Sequence, residues 1–251
     1  MAFRRITGIV GIAAAFTAML VGGTSNYLLV HSLVEALSAV VAVAVFLLAW
    51  NARRLLQQEP FLLRIGIILL FVGVIDVLHA LSYRGMGVFA SLTPGGDTVN
   101  LATQLWIVGR FLFAAALALA LLLPRRAVRP PLLLAAAATV TAALTALVFS
   151  GAFPACFRPG TGLTPFKIGA EAAVCGMLAA AGLLLWRRRT GFDPRLVRSV
   201  GWAVGLSVAS ELAFMLYGDP YALANSVGHA LKVAAYVMLY RALVQIGRAH
   251  V

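Results

Sequence analysis

The stretch HSLVEALSAVVAVAVFLLAW, residues 31–50, carries one formal charge, Glu35, and is followed at once by Arg53 and Arg54. At 1.5 Å per residue, such a run is long enough as a helix to cross the roughly 30 Å of hydrocarbon in a bilayer. Its ionisable residues, His31 and Glu35, stand four apart at one end, and the arginine pair stands beyond the other. Short arginine clusters between long apolar runs are the signature of topogenic charge.

The whole chain repeats this layout. Of 251 residues, 62% are apolar and 11% charged, with a mean hydropathy of +0.97. A soluble domain carries about a quarter charged residues, so the natural solvent here is lipid. The net charge of +12 does not indicate nucleic acid, because the arginines lie between apolar runs rather than on one basic face. Cys156 and Cys175 are too few for a disulfide framework and lack metal-ligand spacing. The first apolar run lacks a small-x-small cleavage site before Ser25, so no signal peptide is expected.

Eight runs of spanning length follow, near 6–21, 31–50, 62–81, 104–123, 132–149, 166–186, 197–217 and 226–244. The expected fold is all-α, a polytopic membrane bundle of about eight transmembrane helices with both termini cytoplasmic. All ten prolines fall in the intervening loops or at helix edges, where a missing N–H costs little. Trp50, Trp186 and Trp202 are expected at one interface. Trp106, Tyr27, Tyr83, Tyr217 and Tyr221 are expected at the other. With the N-terminus inside, fifteen arginines fall in or beside inner loops and only Arg84 and Arg158 in outer ones, a decisive positive-inside bias.

The first and fifth runs contain no ionisable residue and are rich in small residues, so they read as scaffold. The other six carry His31 and Glu35; Asp76 and His79; Arg110; Lys167 and Glu171; Glu211; His229 and Lys232. Mostly three or four apart, these share helix faces. The alternating direction of the runs brings all ten to one depth, within roughly 10 Å of the outer surface. A charge at bilayer depth costs at least about 2.5 kcal/mol, so these groups are expected to face inward and pair. Lys167 and His31 stand near enough to the membrane edge to snorkel, and Arg110 suits Asp76, Glu171 or Glu211 as a partner. A structural ion-pair network and a binding site both remain open.

Histidine and carboxylate donors suit a transition metal ion. His31, His79 and His229 with Glu35 or Asp76 would complete a four-ligand set; a proton relay or a small polar ligand are the other chemistries available. No zinc-protease, Walker, kinase or nucleophile-elbow motif is present, and the Gly95–Gly96–Asp97 triplet lacks any cyclase context. The reading is therefore non-enzymatic, with a small-solute or ion transporter and a membrane metalloenzyme as alternatives.

Several stretches carry a further signal: HSLVEALSAVVAVAVFLLAWN from His31, GVIDVLHALSYRGMGVF from Gly73, NLATQLWIVGRF from Asn100, GLTPFKIGAE from Gly162, SELAFMLYG from Ser210 and NSVGHALKVAAYVMLYRALV from Asn225. In these the chain resembles the third type of bacterial membrane-associated sensor domain. The resemblance implies a sensory input domain of the bacterial inner membrane, N-terminal to a diguanylate cyclase or histidine kinase output module. Its expected partners are the bilayer, that module and a second copy in a homodimer, with no nucleic acid. The domain is expected over 1–245. The tail 246–251, IGRAHV, reads like a translated sequencing adapter and is expected to stand in place of the output module.

Overall fold

In the computed structural model, residues 26–57, 60–93, 97–123, 129–215 and 223–249 are described. The first expected run, 6–21, lies outside them, as do Arg4, Arg5, Arg125, Arg126, Tyr217, Tyr221 and the end of the tail. Among the described residues there are seven long α-helices. They are α1 (Tyr27–Asn51), α2 (Pro60–Ser82), α3 (Val99–Leu122), α4 (Pro130–Phe149), α5 (Pro165–Arg187), α6 (Pro194–Met215) and α7 (Leu223–Ala249). A two-stranded antiparallel hairpin, β1 (Phe157–Arg158) with β2 (Gly162–Leu163), joins α4 to α5.

Local chemistry sets the helix starts. Proline opens α2, α4, α5 and α6, where its fixed φ is already helical and its missing N–H is no loss. Asn26 accepts from the Leu29 N–H at 3.1 Å and Thr164 from the Lys167 N–H at 3.2 Å, each capping its helix. The apolar run expected at 104 begins as a helix five residues earlier. Hydropathy alone overlooks this turn because its polar residues reach across to the neighbouring loop. Asn100 Oδ1 accepts from the backbone N–H groups of Cys156 and Phe157 at 2.8 and 3.0 Å, and Gln104 Nε2 donates to the carbonyls of Phe153 and Pro154 at 2.9 and 3.0 Å.

Six of the helices are long and apolar enough to cross a membrane: α1 to α5 and the Ala224–Gln245 part of α7. At 22 residues α6 has the length, but Arg198, Glu211 and three serines dilute its hydropathy. The packing order is α1–α2–α3–α5–α6–α7, and α7 returns to α1. The six ionisable helices thus form a closed ring. Only α4, which carries no ionisable side chain between Pro130 and Phe149, stays outside, leaning on α2 and α3.

The two ends of the ring differ. At the arginine-rich end the interior is apolar, filled by Val45, Ile67, Leu117, Leu178, Val200 and Leu239, all buried. Arg64 on α2 donates to the Ala120 and Leu123 carbonyls at 3.4 and 3.5 Å, and Arg188 donates to the Leu121 carbonyl. Both cations thereby satisfy the orphan carbonyls at the C-terminus of α3.

The α1–α2 contact is closest where small residues face each other. A Cβ added to Gly66 would lie 2.3 Å from Ala49 Cβ, and one added to Gly73 would lie 3.2 Å from Ala42 Cβ. Small residues seven apart on both helices give dispersion contacts over a long seam, which drives association where lipid is as apolar as leucine. Gly66→Val should cost about 1–3 kcal/mol by overpacking, seen as a lower thermal midpoint in detergent. Gly201→Ala, with open space around its Cα, should not lower that midpoint and should raise it slightly.

Candidate functional site

All ten candidate residues lie in the ring helices and are at most 5% exposed. They occupy the end where α2 and α6 finish and α1, α5 and α7 begin. Arg110 stands deepest: with α3 starting at Val99, it is about 16 Å along the helix, beyond a layer within roughly 10 Å of the surface. Neither His31, at 2% exposed, nor Lys167, at 0%, snorkels. Both turn inward because a partner or a ring stack there replaces the water they would otherwise seek.

The candidates divide into two clusters. In the first, α1, α2 and α7 converge. Lys232 Nζ donates to Glu35 Oε1 and Oε2 at 2.7 and 2.6 Å and lies 3.2 Å from Asp76 Oδ1. His229 Nδ1 is 2.6 Å from Glu35 Oε1. The Nδ1 of His79 is 2.8 Å from the Ala102 carbonyl oxygen. A carbonyl only accepts, so the proton sits on Nδ1 and Nε2 keeps its lone pair. Among the described residues, that Nε2 and both ring nitrogens of His31 have no hydrogen-bond partner. The His31 ring lies between Tyr83, at 3.8 Å between centroids, and His229, at 4.6 Å.

One ligand atom each from His31, Glu35, His79 and His229 lies within 4.8 Å of the others, and all four residues are buried. Asp76, expected beside them as a possible metal ligand, stands outside that group and faces Lys232 instead. The mixture of three imidazoles and a carboxylate suits a borderline divalent cation.

In the second cluster, α3, α5 and α6 meet. Arg110 Nε is bonded to Glu211 Oε1, so of the three carboxylates open to it Arg110 takes Glu211. Lys167 Nζ is 2.6 Å from Glu171 Oε1, one helical turn away, and donates to the Phe214 carbonyl at 3.0 Å. Two acids meet two bases, so the cluster is formally neutral. The first cluster sets Glu35 and Asp76 against Lys232 alone, leaving one formal negative charge beside three imidazoles. Buried charge that lacks an opposite charge is costly, so by formal charge among the described residues the first cluster is the one that favours another cation.

Between the clusters stands Trp106. Its ring centroid is 5.5 Å from that of His79 and 5.1 Å from that of His229. The Arg110 guanidinium carbon is 5.5 Å and Lys232 Nζ 5.1 Å from the same ring, within cation–π reach. A cavity of about 30 Å³ is lined by His79, His229, Trp106, Tyr83, Arg84 and Asn225, large enough for a water or an ion. Trp106 and Tyr83, expected in an interfacial aromatic belt, are 5% and 6% exposed and belong to the site. Trp186 and Trp202, at the other expected interface, are 59% and 61% exposed. Tyr236, which the sequence reading passed over, is fully buried on α7. A helical-spacing signal marks all three: Tyr83 follows His79 by four, Trp106 precedes Arg110 by four, and Tyr236 follows Lys232 by four.

A family model described as a membrane-associated sensor domain, MASE3, matches residues 23–248. Neither the curated proteins nor the solved structures yield a match to the chain.

The Arg110–Glu211 pair gives a stability test. Glu211→Ala leaves a buried guanidinium without its carboxylate and should destabilise by about 3–5 kcal/mol. Arg110→Met combined with Glu211→Leu removes both charges and should recover most of that loss. Thermal unfolding of the detergent-purified chain compares the two.

Proposed function

The chain belongs to the membrane-associated sensor domain family, and we propose from that premise that its polar layer detects a metal ion or small ligand in the outer half of the bilayer. The ring then passes that event to a cytoplasmic output module carried after α7. The observation that supports this most is the asymmetry between the clusters. One is a balanced set of ion pairs, whereas the other gathers three imidazoles and a carboxylate beside a small cavity.

The orientation rests on charge. Fifteen arginines against two across the expected loops favour an inner face at the arginine-rich end, with eight spans and both termini in the cytoplasm. In this reading α6, flanked in the ring by α5 and α7, also crosses. The output module is a diguanylate cyclase or histidine kinase, and two copies pair in the membrane. A transporter is disfavoured by the buried apolar side chains that fill the inner half of the ring, since transport needs polar groups or broken helices at the midplane. The signal runs along α7, which presents His229 and Lys232 to the site and continues past Tyr240 towards the inner face. A ligand moves such an element only through different affinities for two bundle states.

Two measurements address these points. With the output module in place, His79→Ala and His229→Ala should each change ligand-dependent output by about fivefold or more, the lower range of allosteric coupling. Unchanged output in both variants sinks the site assignment. For topology, Thr161→Cys, exposed in the β-hairpin turn, should react with an impermeant maleimide from outside in intact cells in a Cys156→Ser, Cys175→Ser background. Thr190→Cys should react only after lysis. The native Cys156 thiol should be inert, since burial pushes it up to about 12.

A further inference from the structure

We infer that His31, His79, His229 and Glu35 together take one divalent transition-metal ion of the Zn²⁺ and Co²⁺ class, and that Lys232 is the cation the ion replaces on Glu35. This deepens the sensor reading and rests on it for its physiological meaning, though not for the chemistry.

The donors are prepared for such an ion. Ligating histidines usually donate their second ring N–H to a carbonyl or carboxylate, which fixes the tautomer. His79 already does so to Ala102 at 2.8 Å, leaving Nε2 without a partner. His31, 2% exposed, offers two ring nitrogens without partners among the described residues. In a polar interior an imidazole with both nitrogens idle forgoes bonds that cost little to make, and a metal ion supplies one of them. Four ligands at about 2.0–2.1 Å from a tetrahedral ion lie about 3.4 Å apart. The widest separation here, up to 4.8 Å, therefore closes by about 1.4 Å, within the reach of side-chain rotation.

Lys232 occupies the opposing role. Its ammonium touches both oxygens of Glu35 and already lies 3.2 Å from Asp76 Oδ1. A dication arriving at Glu35 takes the first cluster from one formal negative charge to one positive charge. The group it repels most is the ammonium on the same carboxylate, and Asp76 is the acceptor within a short side-chain movement. Glu35, Asp76 and Lys232 lie on α1, α2 and α7 respectively. Exchange of the ammonium between the two acids thus shifts the Lys232 pairing of α7 from α1 towards α2. Oxygen-preferring Mg²⁺ has little use for three imidazoles.

The test uses the detergent-purified chain and Co²⁺, whose visible bands report four-coordinate nitrogen and oxygen ligation. One Co²⁺ per chain should bind, be displaced by Zn²⁺ and be indifferent to Mg²⁺. His31→Ala and His79→Ala should each weaken binding at least tenfold. Lys232→Met, which removes the competing cation, should tighten it by about tenfold. Asp76→Asn touches no ligand yet should weaken it, because the displaced ammonium loses its anionic partner and keeps only a neutral acceptor. Circular dichroism confirms that each variant is folded, and Asp76→Asn carries the exchange test if Lys232→Met is not. Absence of bands in folded protein, or bands unchanged in both histidine variants, overturns the metal site. Tightening absent in folded Lys232→Met, or Asp76→Asn binding like the parent chain, overturns the exchange. Co²⁺ binding with no effect on output would leave the metal site standing and remove the sensor reading. Output altered by the histidine variants without Co²⁺ binding would do the reverse.

Discussion

The ammonium of Lys232 is fully buried in a helix that packs in the ring, and it holds both oxygens of Glu35 while reaching Asp76. Away from water, an ammonium needs opposite charge and acceptors close by, and the acceptors come from α1 and α2. That one requirement ties the last helix of the chain to the first two described helices and closes the ring. The Arg110–Glu211 bond does the same between α3 and α6, and Lys167 bonds from α5 to the Phe214 carbonyl of α6. Ionisable side chains, together with the small-residue seam of α1 and α2, specify which helices meet, because unshaped apolar surface has no preference between lipid and another helix.

The same economy explains why α4 is left out. With no ionisable residue between Pro130 and Phe149, it has nothing to hide and packs on α2 and α3 from the lipid side. At the arginine-rich end, the ring is stabilised differently. Buried Val, Leu, Ile and Ala fill it, and Gly66 and Gly73 bring α1 and α2 close. Packing there is shape complementarity, which resists deformation, whereas the polar end is held by groups that can exchange partners. A sensor needs a rigid part to transmit and an adjustable part to respond, and the fold separates the two along its length.

The unequal charge of the two clusters bears on function more than their shared depth does. Paired acids and bases such as Lys167 with Glu171 balance each other in charge. The group around Glu35 brings three imidazoles to bear on two carboxylates and one ammonium, and both His31 nitrogens and His79 Nε2 lack hydrogen-bond partners among the described residues. Aromatic rings wall it off: Tyr83 lies against His31, and Trp106 stands between His79, His229 and the second cluster. Such walls lower the local dielectric, which strengthens every pairing inside and raises the penalty for breaking one.

The sequence alone determined the all-helical membrane character, the sensor-family resemblance and the identity of the ionisable residues that face inward, because lipid forbids charge on the outer surface of a helix. The outward exposure of the tryptophans at 186 and 202 was legible in the same way. The partition of the ten residues into two clusters was decided only by tertiary structure. Spacing places Asp76 and His79 on one face of α2, yet it says nothing of which neighbour that face meets. Trp106 and Tyr83 were misread as belt residues for the same reason, since an aromatic ring near a helix end is equally at home in headgroups or in a ring of histidines. Arg110 fell deeper than hydropathy suggested because α3 begins at Val99, with Asn100 and Gln104 spending their polarity on the loop beside them. Periodicity fixes the face and rough depth of a side chain in its own helix; the partner is set by how six helices close on one another.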